Sequence, residues 1–183
     1  MRHNRYLEQN AVYHVTARIN RGEMVFREIA MRALFLTYIK RVKKKHSFAM
    51  YNFCIMGNHI HFVIRPDKNS SLSIIMQWLL GNYAKAWNKA HGVTGHLWGN
   101  RFFSKVIREE NFQRTFEYVS NNPVAAGLAS RAEDWEDGGV CHFVKGETSI
   151  LDIPPWLEAV YQTLLSTVQS LQDQVWMTVP QLM

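Results

Sequence analysis

Apolar residues along the 183-residue chain follow two rhythms, and the changes between them mark out its elements. Within Tyr6 to Asn20, Val12, His14, Thr16 and Arg18 alternate with Tyr13, Val15 and Ala17, the period of two that predicts a first strand. From Glu28 to Lys45, Met31, Leu34, Phe35, Tyr38, Ile39 and Val42 fall at the i, i+3, i+4 spacing of an amphipathic helix. That helix ends on Lys43-Lys44-Lys45, cations where the helix dipole is negative. Phe48 to Met56 and His59 to Arg65 are apolar runs joined by Gly57-Asn58, which predicts a hairpin. Ser71 to Ala90 predicts a second helix, with Leu72, Ile75, Leu79, Tyr83, Ala86 and Trp87 facing inward. A loop rich in Gly and His, Gly92 to Asn100, leads to a fourth strand over Phe102 to Arg108; a helix then runs from Glu110 until Pro123 stops it. Strand, helix, strand, strand, helix, strand is the split βαβ order. It predicts an α+β fold: a ferredoxin-like antiparallel sheet (βαββαβ) with helices on one face, then one more helix. Arg131 to Lys145 reads as an irregular connection, and Pro154-Pro155 introduce a helix over Trp156 to Val175 whose apolar positions include Leu157, Tyr161, Leu164, Val168 and Leu171. The expected division is a body, 1–145, and a C-terminal helical tail, 146–183.

Composition narrows the class. No apolar stretch follows Met1-Arg2-His3-Asn4-Arg5, and no window approaches about 18 uninterrupted apolar residues, so neither secretion nor a membrane span is indicated and a cytoplasmic protein is expected. Cys54 and Cys141 lack any Cys-x-x-Cys spacing, which argues against a disulfide scaffold or zinc knuckle. Charge is distributed unevenly. All 21 Lys and Arg lie at or before Lys145, whereas residues 146–183 carry Glu147, Asp152, Glu158 and Asp173 with no Lys or Arg. A body this basic suits a phosphate backbone, and it equally suits plain solubility.

Chemistry concentrates in two places. His59 and His61 stand one residue apart in a predicted strand, so both imidazoles leave the same face while Ile60 and Phe62 turn to the core. Two ligands on one rigid element can hold a metal, and a strand with two half-exposed histidines fits the same residues. Downstream, Tyr118 and Asn122 sit at i and i+4. A phenol can act as nucleophile and an amide oxygen can complete the shell of a hard divalent cation; a core aromatic and a helix-end residue are the plainer reading. His96, Trp98 and Arg101 could form a platform for a base and a phosphate, or a packed loop with Trp98 buried. Arg18, Arg21 and Lys105 are the further cations expected to meet DNA.

His59-Ile60-His61 resembles the His-hydrophobe-His motif of the HUH endonucleases, and Tyr118 to Leu128 is similar to the tyrosine helix of single-tyrosine transposases. Gly95-His96-Leu97-Trp98-Gly99-Asn100-Arg101-Phe102-Phe103-Ser104 resembles the Gly-x-Leu-Trp-x-x-Arg-Phe-x-Ser block of their REP-associated branch, and Tyr13-His14-Val15-Thr16 through Asn20 its opening strand. These blocks run in the right order from Tyr13 to Leu128. The chain departs from the family at Gly57, where Pro is frequent, and at Ala125, where Arg is frequent.

The resemblance implies a metal-dependent DNA transesterase. His59, His61 and Asn122 would hold Mg²⁺ or Mn²⁺, and Tyr118 would attack a scissile phosphate to leave a 5′-phosphotyrosine and a free 3′-hydroxyl. The implied partner is a single-stranded DNA hairpin of the repetitive extragenic palindrome kind; separately, the apolar stripe of the C-terminal helix could dock on the body or on a second copy, so a homodimer is possible. Rival readings are an HUH replication or conjugation initiator, a non-catalytic ferredoxin-like nucleic-acid-binding module, and a phosphohydrolase that uses water. The Trp98 and Asn122-Pro123 blocks favour the transposase branch over the first. No Lys/Arg-Gly-Phe-Gly/Ala-Phe segment supports the second.

Overall fold

Alternation along the first strand places Tyr13, Val15 and Ala17 on one face and His14, Thr16 and Arg18 on the other, and in the computed structural model the whole sheet follows that split. Residues 7–177 are described, with side chains as far as Ser166, so Tyr6 and the side chains of Val168 and Leu171 lie outside the described residues. The body comprises β1 (Val12–Arg18), α1 (Ile29–Lys45), β2 (Phe48–Ile55), β3 (His59–Pro66), α2 (Leu72–His91) and β4 (Phe103–Ile107). The strands lie in the order β2-β3-β1-β4 and every neighbouring pair is antiparallel, the ferredoxin-like sheet that the pattern predicts.

Tyr13, Val15 and Ala17 of β1 pair with Ile64, Phe62 and Ile60 of β3, and α1 and α2 cover this face. Phe35 of α1 stacks on Phe62 at 6.3 Å and meets Tyr83 of α2 edge-on at 4.8 Å, all three fully buried. Phe26 and Trp98 complete the cluster. Aromatic side chains in such edge and offset contacts dominate core energetics, so this face is the anchor of the fold.

The opposite face carries the polar half of β1 and the histidines of β3, and α3 (Phe112–Ser120) packs there. A bulge between Met50 and Asn52 of β2 lets consecutive residues meet α3. Tyr51 touches Phe112, while the Asn52 amide donates to Ser120 Oγ at 2.8 Å and to the Phe116 carbonyl at 3.3 Å. Asn52 Oδ1 in turn accepts from the Phe53 N–H at 2.8 Å, so this buried amide is satisfied and ties α3 to the sheet. Asn52→Ala is therefore expected to lower stability by about 1–3 kcal/mol, read as a shift in urea midpoint, because the Phe53 N–H loses its partner in a dry core.

Two expectations are corrected. The tyrosine helix does not run to Pro123: α3 ends at Ser120, and Asn122 opens a separate turn, α4 (Asn122–Ala125), with Pro123 in its first turn. Proline lacks an N–H to continue a helix but suits the first turn of a new one, so the break falls before it. Arg131 to Lys145 is not wholly irregular either, since Gly139–Val144 forms a short helix, α5. Its approach runs along β2, where Cys54 bridges Gly138 and Ile55 N–H donates to the Asp137 carbonyl. The chain divides into two units, Met1–Asp152 and Ile153–Met183. The second contains α6 (Pro155–Met177), whose buried positions Leu157, Tyr161 and Leu164 keep one helical stripe. Among the described residues no helix is long and apolar enough to cross a membrane.

Candidate active site

The turn before β3 is pinned from several sides. Ile19 N–H donates to the Asn58 carbonyl at 2.8 Å, Phe26 N–H to the Gly57 carbonyl at 3.0 Å, and the Asn58 amide to the Gly22 carbonyl at 3.1 Å. A Cβ on Gly57 would come within 2.5 Å of the Met24 methyl, the flexible end of an exposed side chain that would have to swing aside for a larger residue. From this fixed start His59 and His61 emerge on the α3 face with ring centres 5.0 Å apart. Cross-strand register sets Arg18 opposite His59 and Thr16 opposite His61.

His61 is 5% exposed and sits between two other imidazoles. His14 of β1 lies parallel to it at 5.2 Å, with His14 Nε2 2.9 Å from His61 Nδ1. Burial, then the neighbouring His59 and His14, push the His61 pKa down to about 3. His59 is lowered by burial and by the Arg18 guanidinium, and His14 by burial and by Lys105. All three rings are thus held neutral, the protonation state a metal ligand requires. His61 Nε2 is buried with no hydrogen-bond partner.

Amphipathic α3 buries Phe116, Val119 and Ser120 and leaves Tyr118 55% exposed. Its ring stands edge-on to His61 at 5.7 Å and to His14 at 5.8 Å. Tyr118 is therefore not a core aromatic: α3 carries its phenol over the imidazole pair. Asn122 keeps its i+4 relation to Tyr118 across the helix break, its amide donating to the Tyr118 carbonyl at 2.7 Å.

The surface opens into two grooves, of about 1260 Å³ and 360 Å³, which share Gly99, Asn100, Arg101 and Phe103. The smaller also takes in Thr16, Arg18 and Arg21, so it reaches the strand positions opposite the histidines. The larger runs past His96 to Ser73 and Gln77 of α2. Trp98 lines it too, but its ring packs against Phe26, Phe35 and Tyr83 and its Nε1–H donates to the Leu80 carbonyl at 2.9 Å. Lys105 pairs in register with His14, placing a cation on the other flank. Sequence reasoning passed over two residues of this face, His14 and Phe103. Phe103 is 63% exposed at the edge of both grooves, and its only signal was a phenylalanine on the polar side of β4.

Among the described residues no group of three or more His, Cys, Asp or Glu could hold a metal ion.

The chain belongs to the IS200-like transposases, whose family profile matches residues 8–122. Its fold is that of the REP-associated tyrosine transposase solved bound to a REP hairpin: TM-score 0.64 at 19% identity, covering 75% of this chain and 81% of that one. A candidate transposase of Deinococcus radiodurans R1 gives a TM-score of 0.47 at 14% identity, covering 66% of this chain and 97% of that one. A bacterial tRNA(His) guanylyltransferase-like protein in complex with ATP gives 0.44 at 10% identity, covering 72% and 69%. No curated protein matches the chain.

Proposed function

We propose that this transposase is a metal-dependent DNA transesterase of the REP-associated type, which nicks and rejoins single-stranded hairpin DNA through a 5′-phosphotyrosine. The observation that carries the reading is the exposed Tyr118 ring standing 5.7 Å from a buried, neutral His61 whose Nε2 has no partner. The donor set fits a hard divalent cation: two neutral imidazoles, His59 and His61, and the Asn122 amide oxygen would hold Mg²⁺ or Mn²⁺. When bound, such an ion polarises the scissile phosphate and offsets charge in the transition state.

The chain's own groups do the rest. Tyr118 Oη forms a bond to phosphorus, its proton is lost, and the bond from phosphorus to the 3′ oxygen breaks. That oxygen leaves as a 3′-hydroxyl once it takes up a proton. The phosphotyrosine keeps the bond energy, so rejoining needs no ATP. Arg18, Arg21 and Arg101 line the smaller groove and would neutralise strand phosphates, while Phe103 offers an exposed ring for a base. His96, Trp98 and Lys105 would bound the same path, with Trp98 supporting the groove floor rather than stacking freely.

The test is incubation of the purified protein with labelled hairpin DNA and Mn²⁺ or Mg²⁺, followed by a denaturing gel. A metal-dependent, SDS-resistant band supports the reading. Cleavage without such a band would indicate water as nucleophile, and binding without cleavage a non-catalytic module. Each of Arg18→Ala and Arg101→Ala is expected to weaken hairpin binding and to reduce the slope of log K against log salt by about 1, measured by fluorescence anisotropy.

A further inference from the structure

One imidazole on the site face has no part in the reaction above. His14 lies on β1, diagonal to His61 across the β1–β3 pair, so the backbone register sets their approach. The rings are 9° from parallel, and the 2.9 Å contact joins His14 Nε2 to His61 Nδ1. A hydrogen bond between two neutral imidazoles has a direction, because one nitrogen must carry the proton and the other the lone pair. If His14 donated, His61 would carry its proton on Nε2, an N–H buried with no acceptor. If His61 donates, that same buried atom is a lone pair, and a cation can satisfy it.

We propose that His14 is the positioning residue for His61: by accepting the Nδ1–H it fixes the tautomer and ring orientation that leave His61 Nε2 as a ready donor to a divalent cation. The inference rests on reading His61 as a metal ligand. Ligating histidines ordinarily have their second N–H taken by an acceptor, and the loss of that acceptor weakens metal binding. An imidazole acceptor has an advantage over a carboxylate here, since it brings no negative charge beside a scissile phosphate. The same ring meets Tyr118 edge-on, so one side chain sets the ligand and borders the nucleophile.

The test compares the metal-free full chain, His14→Phe and His14→Gln by two-bond proton–nitrogen imidazole spectra, then titrates each with Mn²⁺ alone by electron paramagnetic resonance. The wild-type protein is expected to show His61 protonated on Nδ1. Phenylalanine keeps a flat ring without an acceptor and should move His61 toward the Nε2–H form, with Mn²⁺ affinity down about 10–100-fold. Glutamine, whose amide oxygen can accept the N–H, should restore the wild-type tautomer and most of the affinity. A wild-type His61 protonated on Nε2, or a His14→Phe protein with unchanged tautomer and affinity, would overturn the proposal. Absence of Mn²⁺ binding by the wild-type protein would sink the metal reading itself, and the tautomer spectra would then decide the positioning role on their own.

Discussion

Tyr118→Phe is expected to abolish the covalent protein–DNA adduct completely while leaving hairpin affinity within about twofold, since a phosphate bond cannot form without the phenolic oxygen. The structure makes this substitution unusually clean. Tyr118 is 55% exposed, so removal of its hydroxyl leaves no buried partner unsatisfied. The edge-on ring contacts with His61 and His14 survive in phenylalanine. Folding and metal affinity should therefore match the wild-type protein. A mutant that still forms the SDS-resistant band would show that another group attacks phosphorus, and a mutant that cleaves without the band would show that water does.

His61→Leu should separate function from stability. Loss of one cation ligand is expected to cost several kcal/mol of transition-state stabilisation, about a thousandfold or more in strand cleavage. Its effect on folding runs the other way in acid. His61 has a pKa near 3 when folded against an ordinary value of 6.5, so between those values the unfolded chain binds a proton that the folded chain refuses. Stability contributed by the neutral ring is thus present above about pH 6.5 and falls as pH drops, by about 1.4 kcal/mol per pH unit for each such histidine. His14 and His59 are lowered as well and act in the same direction. Urea midpoints at pH 7, 6 and 5 should decline steeply in the wild-type protein and less steeply in His61→Leu. Equal slopes would mean that His61 is protonated in the folded state over this range.

Elements with strong internal rhythm were legible from sequence, and so was the sheet they build. His59 and His61 were readable as neighbours because strand geometry alone puts i and i+2 on one face. His14 was not, since its place beside His61 depends on how β1 and β3 align, a relation that no local pattern states. The break between α3 and α4 was misplaced for a local reason: Pro123 was read as an end when it is the start of the next turn. Of the two readings open for Trp98, the packed loop holds, since its ring goes to the core and its N–H to Leu80, whereas the exposure of Phe103 had no signal in the local pattern. The short helix α5 went unseen because six residues that open on the second of two glycines carry too little periodicity to announce themselves.

Strand register also limits how this protein can change by inheritance. Shifting β3 by a single residue against β1 would turn both imidazoles under α1 and α2 and expose Ile60 and Phe62 in their place. The turn that could absorb an added residue is tied down, bonded at Gly57 and Asn58 to Phe26, Ile19 and Gly22. Insertions and deletions are therefore barred from the one stretch that carries the histidines. Variation reaches that stretch by substitution rather than by a change of length.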